Sequence, residues 1–224
     1  MPTELGGTEL RQRLERVRWI GGGTGSGKST VTALLAARFG LEIYQGDRGE
    51  RGYVTRVDPG RQPHYAAWLA MSVRQRWLDR TPEQVFATMP ALHGESFPFV
   101  LDDLLGHPGD QVLLVDDFRT LPRDVAPLLR WRSQAVFLLP APSFRERVLR
   151  ARYADPERAR ANWGDADPAQ IIPVRLARDQ LWDAEVSRQA GELGLPVVRV
   201  DGTRSPDQLA EELARMFRLG PPEG

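Results

Sequence analysis

The sequence predicts an α/β fold, a five-stranded parallel sheet with helices on both faces, and three observations carry that reading. Five short apolar runs have strand length: Val17 to Ile20, Leu41 to Tyr44, Val112 to Val115, Ala135 to Leu139 and Pro196 to Val200. After the second run, helical pattern separates each from the next, and such alternation predicts parallel strands buried on both sides. The first run leads into a glycine-rich loop and then a helix-forming segment.

Taken in order, residues 1 to 16 read as a short polar helix or arm with no assignable role. Val17 to Ile20 is the first strand. Ser29 to Phe39 has helical composition and is stopped by Gly40. The span from Tyr44 to Val112 is long and holds helix-like segments around His64 to Arg80, Pro82 to Thr88 and Phe97 to Leu105, an insertion expected to overhang the strand ends. Pro142 to Tyr153, after the fourth strand, is an arginine-rich helix with proline at its first position. Asp155-Pro156-Glu157 starts another helix, and a long helical stretch runs from about Asp167 to Gly191. A last helix, about Ser205 to Arg218, closes the chain, and the Gly/Pro-rich tail from Gly220 is expected to fray.

Composition narrows the function. With 224 residues, 41% hydrophobic and 27% charged, the chain is of ordinary globular make-up, and at roughly 150 residues per domain one unit is expected. Thirty basic residues balance thirty acidic ones, so no long-range field recruits nucleic acid or an anionic membrane. Cysteine is absent, which removes disulfides, thiolate metal sites and thiol nucleophiles and fits a reducing compartment. No signal-peptide pattern and no run of about 18 apolar residues is present, so a cytoplasmic protein is expected.

The basic set is 29 arginines and one lysine, and that lysine is Lys28. It sits in Gly22-Gly23-Thr24-Gly25-Ser26-Gly27-Lys28-Ser29, which satisfies the phosphate-loop pattern G-x-x-x-x-G-K-[ST]. Glycines let successive backbone N–H groups converge on an anion, and the following helix N-terminus adds its positive dipole end. Residues Gly23, Thr24, Gly25, Ser26, Gly27, Lys28, Ser29 and Thr30 are thus the candidate cradle for the phosphates of ATP. Lys28 would reach the β and γ oxygens, and the Ser29 hydroxyl would ligate Mg²⁺.

The third run ends in Asp116-Asp117 and delivers carboxylates to the carboxyl edge of the sheet. Asp116 is the candidate metal-side acid, with Asp117 as the fallback; the competing reading is an acid that caps a turn. Asp47 follows the second run and projects over the same edge, where a carboxylate can accept the proton of an attacking hydroxyl; the competing reading is an Asx-turn. Arg48 and Arg51 in the same loop either grip an acidic substrate or are solvated. Phosphoryl transfer needs mobile cations and water exclusion, and the arginine-rich helix offers Arg145 and Arg152, with Arg175 and Arg178 beyond it. Arg145 and Arg152 share a helix face with Val148 and Leu149, so they either form a lid clamp or snorkel from a core contact. His64, His93 and His107 are spaced too irregularly for a zinc motif and read as surface or structural. The insertion's aromatic residues read as core, and Asp102 and Asp103 as a solvated helix face or contacts to a substrate amine or hydroxyl.

GGTGSGKS, with YQGD and LLVDD, resembles the P-loop small-molecule kinases, the nucleoside/nucleotide kinase-like group that includes shikimate kinase and chloramphenicol phosphotransferase. FPFVLDDLL, and ANW followed by ARD, also look like an uncharacterised kinase-like subset. The resemblance implies a single P-loop domain over 1–224, with its core at 16–60 and 106–220. A substrate-binding helical insertion would occupy about 61–105, and an arginine-bearing lid about 142–178. It also implies that Asp47 deprotonates the acceptor. The loop is not of the adenylate kinase form G-x-P-G-x-G-K, so monophosphate acceptors are not favoured over alcohols. Guanine selection by N-K-x-D would need a second lysine, and the length does not suit a ring-forming ATPase.

The expected function is transfer of the γ-phosphoryl group of ATP, with Mg²⁺, to a small-molecule acceptor such as a nucleoside, a metabolite or an antibiotic-like alcohol. Lys28, Asp47, Arg145 and Arg152 are the catalytic set, Ser29 and Asp116 the metal side, and the protein a monomer or homodimer. The alternative is an ATP-binding regulatory or resistance protein without transfer. A kinase acting on a protein or an activated cell-wall sugar is not separable by sequence.

Overall fold

The computed structural model describes residues 6–220, and the frayed tail expected after Gly220 lies outside them. Five strands, β1 (Val17–Gly22), β2 (Glu42–Gln45), β3 (Leu113–Asp116), β4 (Ala135–Pro140) and β5 (Val197–Val200), pair in parallel in the order β2-β3-β1-β4-β5. The central β1 and β4 are buried along their whole length, which is why they read as continuous apolar runs, while the edge strands β2 and β5 are partly open. Ile20 and Gln45 both stand in register with Asp116, so β2 and β3 end at one level and β1 runs two residues further. The loop after β1, the acids after β3 and the chain leaving β2 therefore emerge at a single edge of the sheet.

The two faces bury different residues because side chains alternate along a strand. Ile20, Leu114 and Val136 face α2 (Lys28–Phe39) and α11 (Pro206–Phe217), whose Val31, Leu35 and Leu213 complete one core. Trp19, Val115 and Phe137 face the other way, toward α6 (Pro82–Gly106), α7 (Pro122–Val125) and α10 (Pro168–Leu193). A third cluster of Leu149, Tyr153, Trp163 and Ile171 joins α8 (Pro142–Tyr153), α9 (Pro156–Trp163) and the start of α10. The segment after β4 thus has a small core of its own. Among the described residues no helix is long and apolar enough to cross a membrane.

The stretch between β2 and β3 departs from the sequence reading. A helix, α3 (Gly46–Tyr53), begins directly after β2 where a glycine-rich loop is expected, and α4 (Pro63–Ala70) and α5 (Val73–Trp77) follow. The segments expected at Pro82 to Thr88 and Phe97 to Leu105 are one helix that continues through Pro90 and Pro98. Proline in a helical pattern reads as a break, but it removes only one N–H and displaces one carbonyl contact, and packing can hold the helix together across it. Nor does this region simply overhang the strand ends. Leu92, Phe99, Val100 and Leu104 of α6 share the core of Trp19 and Val115, so α6 is a layer on the sheet.

Candidate active site

The chain leaves β1 at Gly22 and enters α2 at Lys28. Gly22, Gly25 and Gly27 have φ of 108°, 77° and 81°, a region closed to most side chains, and a Cβ at Gly22 would stand 2.6 Å from the Leu138 amide nitrogen. The loop therefore requires these glycines. Gly27 caps α2 without a side-chain hydrogen bond, and the first turn of α2 holds no acidic residue, leaving its N–H groups to an incoming anion. Lys28 Nζ turns back to donate to the carbonyls of Gly22 (3.2 Å) and Gly23 (2.7 Å). Burial lowers its pKa, opposed by the charges of Asp116, Asp117, Asp183 and Asp47.

Asp116, at the tip of β3, lies near the Ser29 hydroxyl; burial raises its pKa, and Ser29 and Lys28 oppose that shift. The two residues proposed for the metal side are thus neighbours. Among the described residues no group of three His, Cys, Asp or Glu is arranged to hold a metal ion. One carboxylate and one hydroxyl beside a phosphate cradle nevertheless form the donor set that Mg²⁺ uses when phosphates complete its shell.

Asp117, the fallback acid, is committed elsewhere. It is buried, and it accepts from the backbone N–H of Arg119 (3.2 Å), from Arg119 Nη1 (2.9 Å) and from Thr120 Oγ1 (3.1 Å). Arg119 is the residue that sequence reasoning missed. Its Nη2 also reaches Asp47 Oδ1 at 3.0 Å and is ion-paired with Glu50, so one guanidinium ties three carboxylates together. Those charges hold Arg119 firmly protonated despite its burial. Asp47 lies in the first turn of α3, its side chain 84% exposed, at the same sheet edge as the glycine loop. Glu50, one turn further, is more buried, and desolvation raises its pKa against the pull of Arg119. Arg48 and Arg51 are exposed, and Asp102 and Asp103 are held by Arg56.

From α8, Arg145 reaches the loop: its Nε donates to the Thr24 carbonyl at 3.0 Å, and its guanidinium is ion-paired with Asp183 of α10. Val148 also packs beside the loop, 3.6 Å from where a Cβ of Gly25 would stand. Arg152, about 10 Å further along the helix, is partly exposed. The structure thus brings Arg145, and not Arg152, into contact with the loop. Asp183 was not foreseen, because only the crossing of α8 and α10 brings it to the glycine loop.

Asp183 makes pH a probe of this contact. Burial pushes its pKa up to about 6 against the opposing pull of Arg145. An unfolded aspartate titrates near the ordinary 3.8, so as pH falls from 7 toward 5 the folded protein takes up a proton that the unfolded chain does not. This group therefore adds stability as pH falls through 6 and removes it as pH rises. Paired thermal melts from pH 5 to 7 should show that contribution in the wild type and its loss in Asp183→Asn; identical pH slopes would contradict the assignment.

Gly23 is also tightly enclosed. A Cβ there would stand 2.6 Å from an Arg145 nitrogen and 2.8 Å from Pro140 Cδ, and would overlap the Asp183 carboxylate. Gly23→Ala should cost about 1–3 kcal/mol, a fall in Tm of roughly 2–12 °C in a thermal melt. An unchanged melt would show that this packing is wrong.

No protein-family model and no curated protein sequence matches the chain, so the reading of its function rests on this geometry.

Proposed function

We propose that the chain is a P-loop phosphotransferase that moves the γ-phosphoryl group of ATP, with Mg²⁺, to a hydroxyl of a small-molecule acceptor. The observation that carries this is the meeting of three things at one sheet edge: a glycine loop running into an uncapped helix with Lys28 at its first position, Asp116 near the Ser29 hydroxyl, and Asp47 facing solvent beside them. Loop amides, Lys28 and the α2 N-terminus would bind the phosphates, and Ser29 with Asp116 would hold the metal ion. Bound Mg·ATP supplies the transferable phosphoryl group and the leaving ADP.

The side chains divide the remaining work. Asp47 takes the proton of the acceptor hydroxyl as its oxygen bonds to the γ-phosphorus and the bond to the bridging oxygen of ADP breaks. Arg119 positions Asp47 without occupying the exposed remainder of its carboxylate, since the contact is to Oδ1 alone. Arg145 is the α8 cation that touches the loop, able to exchange Asp183 and the Thr24 carbonyl for phosphate oxygens. Arg152, at the far end of α8, belongs to the proposed lid only if that helix moves toward the loop.

Calorimetric titration of the protein with ADP and Mg²⁺ tests this reading. One ADP per chain, displaced by pyrophosphate, is the expected result; absence of binding would sink it.

A further inference from the structure

Asp183 of α10 lies against the glycine loop. A Cβ on Gly23 would overlap its Oδ1, while Oδ2 is ion-paired with Arg145, whose Nε donates to the Thr24 carbonyl. Only 10% of the Asp183 side chain and 2% of that of Arg145 are exposed. The pair is lopsided. Oδ1 is buried with no hydrogen-bond donor among the described residues, and the N–H of Gly23 is turned to the Leu138 carbonyl at 2.9 Å. A buried pair kept for stability alone normally has both carboxylate oxygens served, since an unserved one keeps its full desolvation cost.

The position of Asp183 gives that cost a meaning. Of the four carboxylates whose charge acts on Lys28, Asp116, Asp117 and Asp47 stand where β3 and β2 end, whereas Asp183 reaches the loop from α10. Its carboxylate therefore stands among Arg145, Lys28 and the loop backbone, the groups that the phosphates of ATP would use. Helix α8 lies along the loop as well, since a Cβ on Gly25 would stand 3.6 Å from Val148 Cγ1 and 3.7 Å from Arg145 Cγ. The resting loop thus already has an anion on its cation, and the chain itself supplies it.

We propose that Asp183 is an autoinhibitory stand-in for phosphate: it occupies Arg145 at rest, and ATP binds as a phosphate oxygen displaces it from that guanidinium. The proposal rests on the phosphotransferase reading of the loop. Opening the ion pair subtracts from nucleotide affinity. Protonation of Asp183 opens it too. Burial pushes the Asp183 pKa up to about 6; Arg145 of α8 and Lys28 of α2 oppose that rise, and Asp179, one turn away on α10, adds to it. Above that pH the carboxylate is charged and holds Arg145, and below it the neutral acid lets go. If the neutral form alone admits ATP, affinity is reduced about thirtyfold at pH 7.5 and less than about 1.5-fold at pH 5.5.

The test titrates the full chain with Mg²⁺ and a non-hydrolysable ATP analogue by calorimetry at pH 7.5 and 5.5. The proteins are wild type, Asp183→Asn, Arg145→Gln and the double variant. At pH 7.5 Asp183→Asn should bind the analogue more tightly than wild type, by at least about threefold and at most about thirtyfold. That gain should at least halve at pH 5.5; protonation of the analogue itself cancels in the ratio. It should also at least halve in the Arg145→Gln background, because a buried carboxylate without its cation takes up a proton and holds nothing. Asp183→Ala is the decisive variant if the amide does not fold. A gain below about threefold at pH 7.5, or weaker binding, overturns the proposal and makes Asp183 a residue that orients Arg145. A gain that does not halve at pH 5.5 or without Arg145 overturns it in favour of plain charge repulsion. If wild type and Asp183→Asn both fail to bind the analogue, the phosphotransferase reading falls instead, and inorganic triphosphate with Mg²⁺, titrated alongside, decides the role of Asp183 by the same ratios.

Discussion

Lys28→Ala is expected to leave a folded protein whose ATP-dependent transfer has fallen by at least about 10²–10³, the loss typical when one preorganised charged donor to a developing transition-state charge is removed. The lysine is the sole one in the chain, and in the structure its ammonium donates to two loop carbonyls. Removing it strips those carbonyls of a donor and removes a positive charge from among Asp116, Asp117, Asp183 and Asp47. Both effects cost stability, of order 1–3 kcal/mol for the unsatisfied groups, without breaking either core. Circular dichroism should therefore report the wild-type fold while product formation disappears. Transfer within tenfold of wild type would contradict the role assigned to Lys28.

Asp47→Asn is expected to reduce the rate by about 10²–10⁴, the range of general-base contributions, with little change in Tm. The separation of rate from stability follows from exposure. Asp47 is mostly in solvent, and Arg119 keeps Glu50 and Asp117 as partners when Asp47 is neutralised. Glu50→Gln is the contrasting variant. It removes a more buried partner of the same guanidinium, so it should lower Tm further than Asp47→Asn while reducing the rate less than tenfold. Rate losses in the opposite order would make Glu50 the base. This pair also separates transfer from mere nucleotide holding, since a protein that only binds ATP gains by losing a carboxylate near the γ-phosphate.

The sheet was legible because its signals are local. Each strand is a short apolar run, and α2 ends at Gly40, a residue with φ of 66°. The glycine loop was legible for the same reason, since three positive-φ glycines and one lysine fall within eight residues. What could not be read depends on distant contacts. Arg119 lies 72 residues from Asp47, and Arg145 lies 38 from Asp183. In a chain with 29 arginines no local pattern marks those two. Pro90 and Pro98 concealed the continuity of α6 because local propensity argues for a break, and burial of Leu92, Phe99 and Leu104 overrides it. The same override turned the expected loop around Asp47 into α3, with Gly46 packed so closely that a Cβ would stand 2.6 Å from Asp117 Oδ1.

The most direct measurement incubates the protein with ATP, Mg²⁺ and a panel of nucleosides, sugars, amino sugars, hydroxy acids and phosphorylated alcohols, and follows products by mass spectrometry. The account predicts that at least one compound gains a single phosphoryl group as an equal amount of ADP appears, and that both products vanish with Lys28→Ala. Product formation that persists in Lys28→Ala, or bound ATP that stays intact with every acceptor class, would contradict it.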